Sequence, residues 1–280
     1  MRFFTLLIVL GLVVGWVYAA AASPPTPLSA PSSQAQLFYA DGFETETNWQ
    51  LDEELVTSCY HDQLGSNDRS TDVAAQGQYS MRTWANEALS IWSNHIISGK
   101  KVTDTGQTGV FTYRLQSYIA SETYLEGQTG PEFSLQNTRN HPTIGYRTAI
   151  AGIQYIANPY FQTGDLQVWH NAVWVTFGTI TPTLAAATWY TFTLEADFSH
   201  NVYHFLTIEG NGDAWYFDLS DYQIAEEPPR GLEEAFVVTV ENENLWNNCG
   251  TAGVFDYKVY YDEIAVWLWV DRSFLPLLTR

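Results

Sequence analysis

Apolar and polar residues alternate along much of this chain with a period of two. In 109–119, Phe111, Tyr113 and Leu115 fall on one face, and Thr112, Arg114 and Gln116 on the other. A period of two is the signature of a half-buried β-strand. The pattern returns in 132–137 and in 189–198, where Tyr190, Phe192 and Leu194 share a face. Further strands are expected at 37–39, 78–85, 148–156, 203–209, 214–219 and 235–241. Another is expected over 165–177, broken by a turn at His170-Asn171-Ala172. Gly210-Asn211-Gly212-Asp213 between two such runs predicts a hairpin. The segment 52–78 is polar and reads as loop, and 85–97 fits either a short helix or a strand. The last run, 254–269, is rich in Val, Ile, Tyr and Trp, and only Asp256, Lys258, Asp262 and Glu263 break its apolar character. A carboxylate inside such a run needs a partner or an ion. About eleven short strands separated by Gly, Asn and Asp, with no long helical periodicity, predict an all-β, antiparallel two-sheet sandwich rather than βα units.

Composition narrows the partners. The 280 residues carry 31 acidic and 12 basic side chains, a formal net charge of −19. With no basic stripe for phosphates, nucleic acid is excluded as a natural partner, and anionic polymers are repelled. Eleven Trp and 17 Tyr separate the chain from acidic disordered proteins. Met1-Arg2 followed by the apolar 3–17 and small residues to Ala22 has the layout of a signal peptide, 1–22. The alternative is an uncleaved anchor. Once 1–22 is cleaved, no segment for stable membrane insertion remains, and the expected location is secreted or cell-surface. Residues 23–36 are rich in Pro, Ser and Ala and read as a linker, leaving 37–280 as one folded domain. Cys59 and Cys249 are the two cysteines; export favours a disulfide between them, with two buried thiols as the alternative.

Asp41-Gly42-Phe43-Glu44 followed by a Trp, and then Gly77-Gln78-Tyr79-Ser80-Met81-Arg82, resembles the opening of jelly-roll carbohydrate-binding modules. Trp189-Tyr190-Thr191-Phe192 with Asp197, the 203–210 hairpin, and Val259-Tyr260-Tyr261-Asp262-Glu263-Ile264 resemble the closing half of concanavalin A-like, laminin-G-like domains. Together these motifs cover most of 37–269. The resemblance implies a jelly-roll sandwich, a glycan partner and a structural calcium ion (Ca2+). Carried over by residue, the ion's ligands are Glu44 and Asp262, with Asp41 as a third. Calcium wants about six to eight oxygens, so backbone carbonyls would complete the shell. The competing account is that Glu44 and Asp262 are strand-end carboxylates capped by N–H groups or by Arg82.

The candidate binding residues are Arg114, Gln116, Glu132, Gln136, Arg139, Gln154, Gln167 and Trp169, with Ser134 and His141 beside them. On one face of a curved sheet these would offer amides and charges to sugar hydroxyls and an indole to a pyranose ring. The plainer account is a solvated outer face. For catalysis, sandwich glycosidases carry Glu-x-Asp-x-x-Glu on one strand, and lyases of this fold carry Arg-x-Glu-x-Arg with Gln-x-His; neither pattern occurs. Glu241-Asn242-Glu243 has the spacing of an acid–base pair but reads as a polar strand end. The expectation is a non-catalytic, lectin-like binder of a neutral glycan. A polysaccharide-degrading enzyme on the same fold and a structural surface or filament subunit are the alternatives, and self-association stays open.

Overall fold

A computed structural model describes residues 35–45, 48–55, 65–85, 94–120, 128–158, 162–229, 232–244 and 257–269. Residues 1–34, which hold the expected signal peptide 1–22 and most of the expected linker 23–36, and both Cys59 and Cys249, lie outside the described residues. No helix occurs among the described residues, which form sixteen strands. They are β1 (Ala35–Asp41), β2 (Gln50–Leu55), β3 (Gly65–Ser70), β4 (Ser80–Ala85), β5 (Asn94–Thr103), β6 (Val110–Ile119), β7 (Gln128–His141) and β8 (Gly145–Asn158). There follow β9 (Thr163–His170), β10 (Val173–Ile180), β11 (Trp189–Asp197), β12 (Val202–Gly210), β13 (Asp213–Asp218), β14 (Glu226–Glu227), β15 (Ala235–Asn244) and β16 (Tyr257–Trp269).

The first sheet runs β13-β12-β11-β6-β16-β4-β3, with β1 also on β16; the second runs β10-β9-β8-β7-β15-β5-β2, with β14 on β8. Every pairing is antiparallel. This is the all-β two-sheet sandwich of jelly-roll, concanavalin A-like type that the alternation implied. The inward faces meet in one cluster that includes Phe111, Tyr113 and Leu115 from β6, Phe192 and Leu194 from β11, and Phe133, Leu135, Ile153 and Val240 from the second sheet.

One expectation changes and one open choice is resolved. The polar 52–78 stretch contains part of β2 and all of β3, and 94–103 is strand. Both β2 and β3 close the end of a sheet. An edge strand needs only one ladder, so a sequence such as Gly65-Ser66-Asn67-Asp68-Arg69-Ser70 can pair without apolar alternation. The expected strand at 37–39 lies within β1, Ala35–Asp41.

The chain's opening and closing strands lie side by side, with Asp41 opposite Ile264. Along the same edge of β16, β4 pairs with 257–261 and β1 with 264–269. Asp262 and Glu263 occupy the gap between these partners, where a register shift puts Glu263 at φ 48°. The carboxylates in this apolar strand therefore mark a change of partner, and the 75–76 backbone fills the gap.

Three fully buried tyrosines of the first sheet reach across to the backbone of the second. Tyr113 donates to the Thr239 carbonyl at 2.9 Å. Tyr261 donates to the Glu241 carbonyl at 2.5 Å, accepts the Glu132 N–H at 3.1 Å and lies 3.2 Å from the Glu132 carbonyl. Tyr203 donates to the Trp169 carbonyl at 2.7 Å and accepts the Gly152 N–H at 3.0 Å. The ladder is interrupted where the last two insert. The β7–β15 and β7–β8 registers shift beside Glu132 and Glu241, and β8 changes partner from β14 to β9 around 150–152. Buried backbone groups left over by a ladder must find partners, and the phenols supply them.

Candidate functional site

Those tyrosines hold up a particular surface. Phe133, Leu135, Ile153, Val168 and Val240 point into the core, so their neighbours point to the other face of the second sheet. The strand register puts Ile97, Glu241, Glu132, Gln154, Gln167 and Thr176 in one line, one residue per strand. A second line, one step along, holds Gly99, Thr239, Ser134 and Gly152, and Trp169 opposite Trp174 continues it. On a solvated outer face such polar groups would be exposed. Here Glu132 is 3% exposed, Gln154 3%, Ser134 4% and Glu241 5%. The partly exposed Gln136, Gln167 and Trp169 border them.

Hydrogen bonds fix this network. The Glu241 carboxylate accepts from the Thr239 hydroxyl, and the Ser134 hydroxyl lies 3.2 Å from it. Ser134 and Thr239 share a hydrogen bond of 2.7 Å, and Gln136 Nε2 reaches Ser134 Oγ at 3.4 Å. On the other side Gln167 Nε2 donates to Thr176 at 3.1 Å, and Gln154 Nε2 donates to Gln167 Oε1 at 2.9 Å. Thr176 thus orients both amides. The relay ends in Gln154 Oε1, a buried acceptor with no donor among the described residues. Burial first, then the neighbouring Tyr39 and the charge of Glu241, push the Tyr113 phenol well above its usual pKa, so it remains a donor.

The indoles are equally fixed. Trp169 Nε1 donates to Glu227, and Trp169 meets Trp174 edge to face at 5.1 Å and 67°. Gly152 lies beneath them: a Cβ there would stand 3.3 Å from the tip of Trp174 and 3.5 Å from Cβ of Trp169. A side chain there would push the tip of Trp174 back slightly, so the glycine lets both rings lie close against the sheet.

Of the eight expected binding residues, Glu132, Gln136, Gln154, Gln167 and Trp169 share this face. Arg139 does not, because it lies an odd number of residues from Gln136, and one step of parity reverses the side of a strand. It donates to the Phe198 carbonyl at 3.1 Å and to Glu226 at 2.7 Å, with His141 3.4 Å from the same carboxylate. Arg114 and Gln116 belong to the first sheet, opposite Thr193 and Thr191. Alternation assigns a residue to a face but not to a sheet. Thr239, Trp174 and Glu227 join the site unannounced, and with them Glu241, which was expected only as part of a polar strand end. Glu241 is no strand end but a member of the row, beside Glu132, and Asn242 turns inward to the Thr83 carbonyl at 3.3 Å.

A cleft of about 520 Å³ between the 171–172 and 200–201 turns and residues 223–226 is a weaker candidate. Its one carboxylate, Glu226, is already engaged by Arg139 and by Asn201 at 3.1 Å.

Each of the three carboxylates expected to hold calcium accepts hydrogen bonds from protein donors. Asp41 turns to the Phe43 N–H at 2.8 Å, the Tyr39 hydroxyl at 2.9 Å and the Trp49 indole at 3.0 Å. Glu44 Oε1 accepts the N–H groups of Gln78 and Tyr79 at 2.9 and 3.0 Å. Asp262, fully buried, accepts those of Ala75, Gln76 and Glu263 at 2.8, 3.1 and 2.8 Å. Burial raises the Asp262 pKa above its ordinary value, opposed by these N–H donors. A cation needs oxygens where these carboxylates meet N–H groups, and no group of three His, Cys, Asp or Glu suited to a metal occurs among the described residues. The geometry fits a clamp on the 75–79 backbone, with Gly77 at φ 65° leaving room for the Glu44 carboxylate. EDTA is therefore expected to leave the melting temperature unchanged, while Asp262→Ala lowers it by several degrees. A fall on chelation, reversed by added calcium, would instead reinstate the ion.

No family model and no curated protein matches the chain. Among solved structures it is similar to an endo-β-1,4-glucuronan lyase from the fungus Trichoderma reesei, at 15% identity over 73% of this chain and 87% of that one, with a TM-score of 0.47. It is also similar to a carbohydrate esterase from the Shiga toxin-encoding bacteriophage phi24B, at 15% identity over 84% and 100% of the two chains and a TM-score of 0.48. A third is a GlcNAcα1-4Gal-releasing endo-β-galactosidase from Clostridium perfringens, at 11% identity over 89% and 66% and a TM-score of 0.49. Likeness this remote does not carry an activity from one chain to another.

Proposed function

We propose that this protein recognises a neutral glycan on the outer face of its second sheet, outside the cell or on its surface. The observation that carries this is the buried amide relay ending in Gln154 Oε1 beside an oriented pair of indoles. Sugars present hydroxyls around the ring edge and C–H groups on its faces. Amides and hydroxyls in fixed positions match the first, and an aromatic ring matches the second. Holding polar groups buried without full partners costs stability, and a ligand that supplies the missing donor offsets it. Glu132, Glu241 and Glu227 on this face, with the net charge of −19, disfavour anionic polymers.

The test is affinity electrophoresis or calorimetry of the purified chain with soluble β-glucan, xylan, galactomannan and galactan, beside alginate and polygalacturonate. Retention by at least one neutral polysaccharide and by neither polyuronate is expected. Failure to bind any neutral polymer, or equal retention by the polyuronates, rejects the proposal.

A further inference from the structure

We infer that the site selects polymers of hexopyranoses whose C6 hydroxymethyl arm is free, and that Gln154 reads that arm. This rests on the glycan-binding face above and deepens it by naming the class of sugar.

The row of polar residues changes depth along its length. Thr176 at one end is exposed, Gln167 beside it is partly exposed, and Gln154 is 3% exposed. Trp169 and Trp174, also partly exposed, border the shallow end. Gln154 stands directly opposite Gln167, which puts their Cβ atoms about 5 Å apart. Trp169 follows Gln167 by two residues on the same face of β9, about 7 Å along the strand. One sugar residue spans these separations. A pyranose lying against the indoles has its edge at Gln167, and Gln154 lies below that edge.

The amide at the bottom has one polarity. Gln154 Nε2 donates to Gln167 Oε1, and Gln167 Nε2 donates to Thr176. Gln154 Oε1 is left as a buried acceptor without a donor among the described residues. Such an oxygen costs stability until a donor reaches it. The indoles and this oxygen are independent signs of one ligand: a face for the ring, and an acceptor deeper than the ring.

Sugar chemistry separates the ligands that fit. A hydroxyl bonded directly to the ring stays at the level of the ring, where Gln167 meets it. The primary hydroxyl of a hexose sits on an extra carbon and turns about the bond that carries it. It reaches one atom further in, and its O–H donates to Gln154 Oε1. A pentose such as xylose has no C6 and sends nothing down. A uronate carries a carboxylate at C6, which has no donor at neutral pH and sets oxygen against oxygen. Gln154 is thus a specificity-determining residue, and it excludes polyuronates by a second means besides the net charge of −19.

Calorimetry with the parent chain compares β-glucan, galactomannan and galactan, which carry C6 hydroxyls, with xylan, which does not. At least one hexose polymer is expected to bind roughly 10- to 100-fold more tightly than xylan, the range for one buried acceptor left without its donor. The 6-deoxy-6-fluoro derivative of that polymer is neutral and of nearly the same shape, and it is expected to fall to the level of xylan. Gln154→Leu is expected to bind the polymer and its fluoro derivative alike, both at that lower level. The comparison of ligands uses the unaltered chain, so it decides the matter even where the variant fails to fold. Xylan bound as tightly as every hexose polymer overturns the inference and leaves the glycan face standing. So does a fluoro derivative bound as tightly as its parent polymer, which would mean that water serves Gln154. A folded Gln154→Leu chain that still tells the two forms apart by the full factor also overturns it. No binding to any of the four polymers overturns both.

Discussion

Tyr203→Phe is expected to lower the melting temperature by roughly 4–8 °C although it deletes a single oxygen. The ring stays, so the packing of a fully buried side chain is kept. What is lost is the partner of the Gly152 N–H and of the Trp169 carbonyl, 3.0 and 2.7 Å away. Both lie at the place where β8 gives up β14 and has not yet met β9, so no strand can replace the hydroxyl. A buried backbone group left without a partner costs about 1–3 kcal/mol, and in a domain of this size each kcal/mol moves the midpoint by about 2–4 °C. Burial holds the Tyr203 pKa above its ordinary value, with the Glu227 charge adding to it, so the loss should not depend on pH across the neutral range. Tyr216→Phe, on a residue 63% exposed, is the control and should stay within about 0.5 kcal/mol of the parent. A Tyr203→Phe midpoint indistinguishable from that control would mean the phenol does not hold the two sheets in register.

The same tyrosines explain how far the sequence could be read. Tyr113 and Tyr203 stand in alternating runs and are legible as core. Nothing local to them says that each hydroxyl ends on a carbonyl more than thirty residues away in the chain. Alternation in β6, β7 and β11 gave the two-layer fold, because a sheet with one dry face must repeat every second residue. It failed at β2 and β3, which border the sheets and need no dry face of their own. By giving Glu44 and Asp262 to one ion, the resemblance implied that the two ends of the domain meet, and 35–41 does pair with β16. Those carboxylates turned out to bind main-chain N–H groups at a change of strand partner, and the resemblance that suggested calcium drew on the same residues.

The site was half legible for a related reason. Glu132, Gln136 and Gln154 announce themselves as polar residues in apolar strands. Counting by twos from Glu132 would have kept Ser134 and Gln136 and dismissed Arg139. Glu241 was masked by its neighbours, since Asn242 and Glu243 give the stretch the look of a loop. Its place opposite Glu132 depends on which strands pair, and pairing between β7 and β15 joins residues about a hundred positions apart. Loop-closure entropy makes such contacts possible at modest cost, but no local pattern encodes them.

Trp169→Ala is expected to weaken binding of whichever neutral polysaccharide the chain retains by roughly 10- to 100-fold, about 1.4–2.7 kcal/mol. Two losses combine. The apolar area that meets a sugar face disappears, and Trp174 loses the edge-to-face partner that holds it at 5.1 Å. The Glu227 carboxylate also loses its indole donor, which leaves an acidic group free to turn toward the ligand. Trp169→Phe separates these effects, because a phenyl ring keeps much of the stacking area and cannot donate to Glu227. An affinity between those of the parent and of Trp169→Ala is expected for it. Gln167 is the internal comparison. It belongs to the amide relay, so Gln167→Leu should also reduce affinity, but by removing the donor to Thr176 and the acceptor for Gln154 rather than stacking area. Calorimetry with the same polysaccharide measures all three. If Trp169→Ala binds like the parent, the sugar does not lie against the indoles, and the ligand must be sought elsewhere on the molecule.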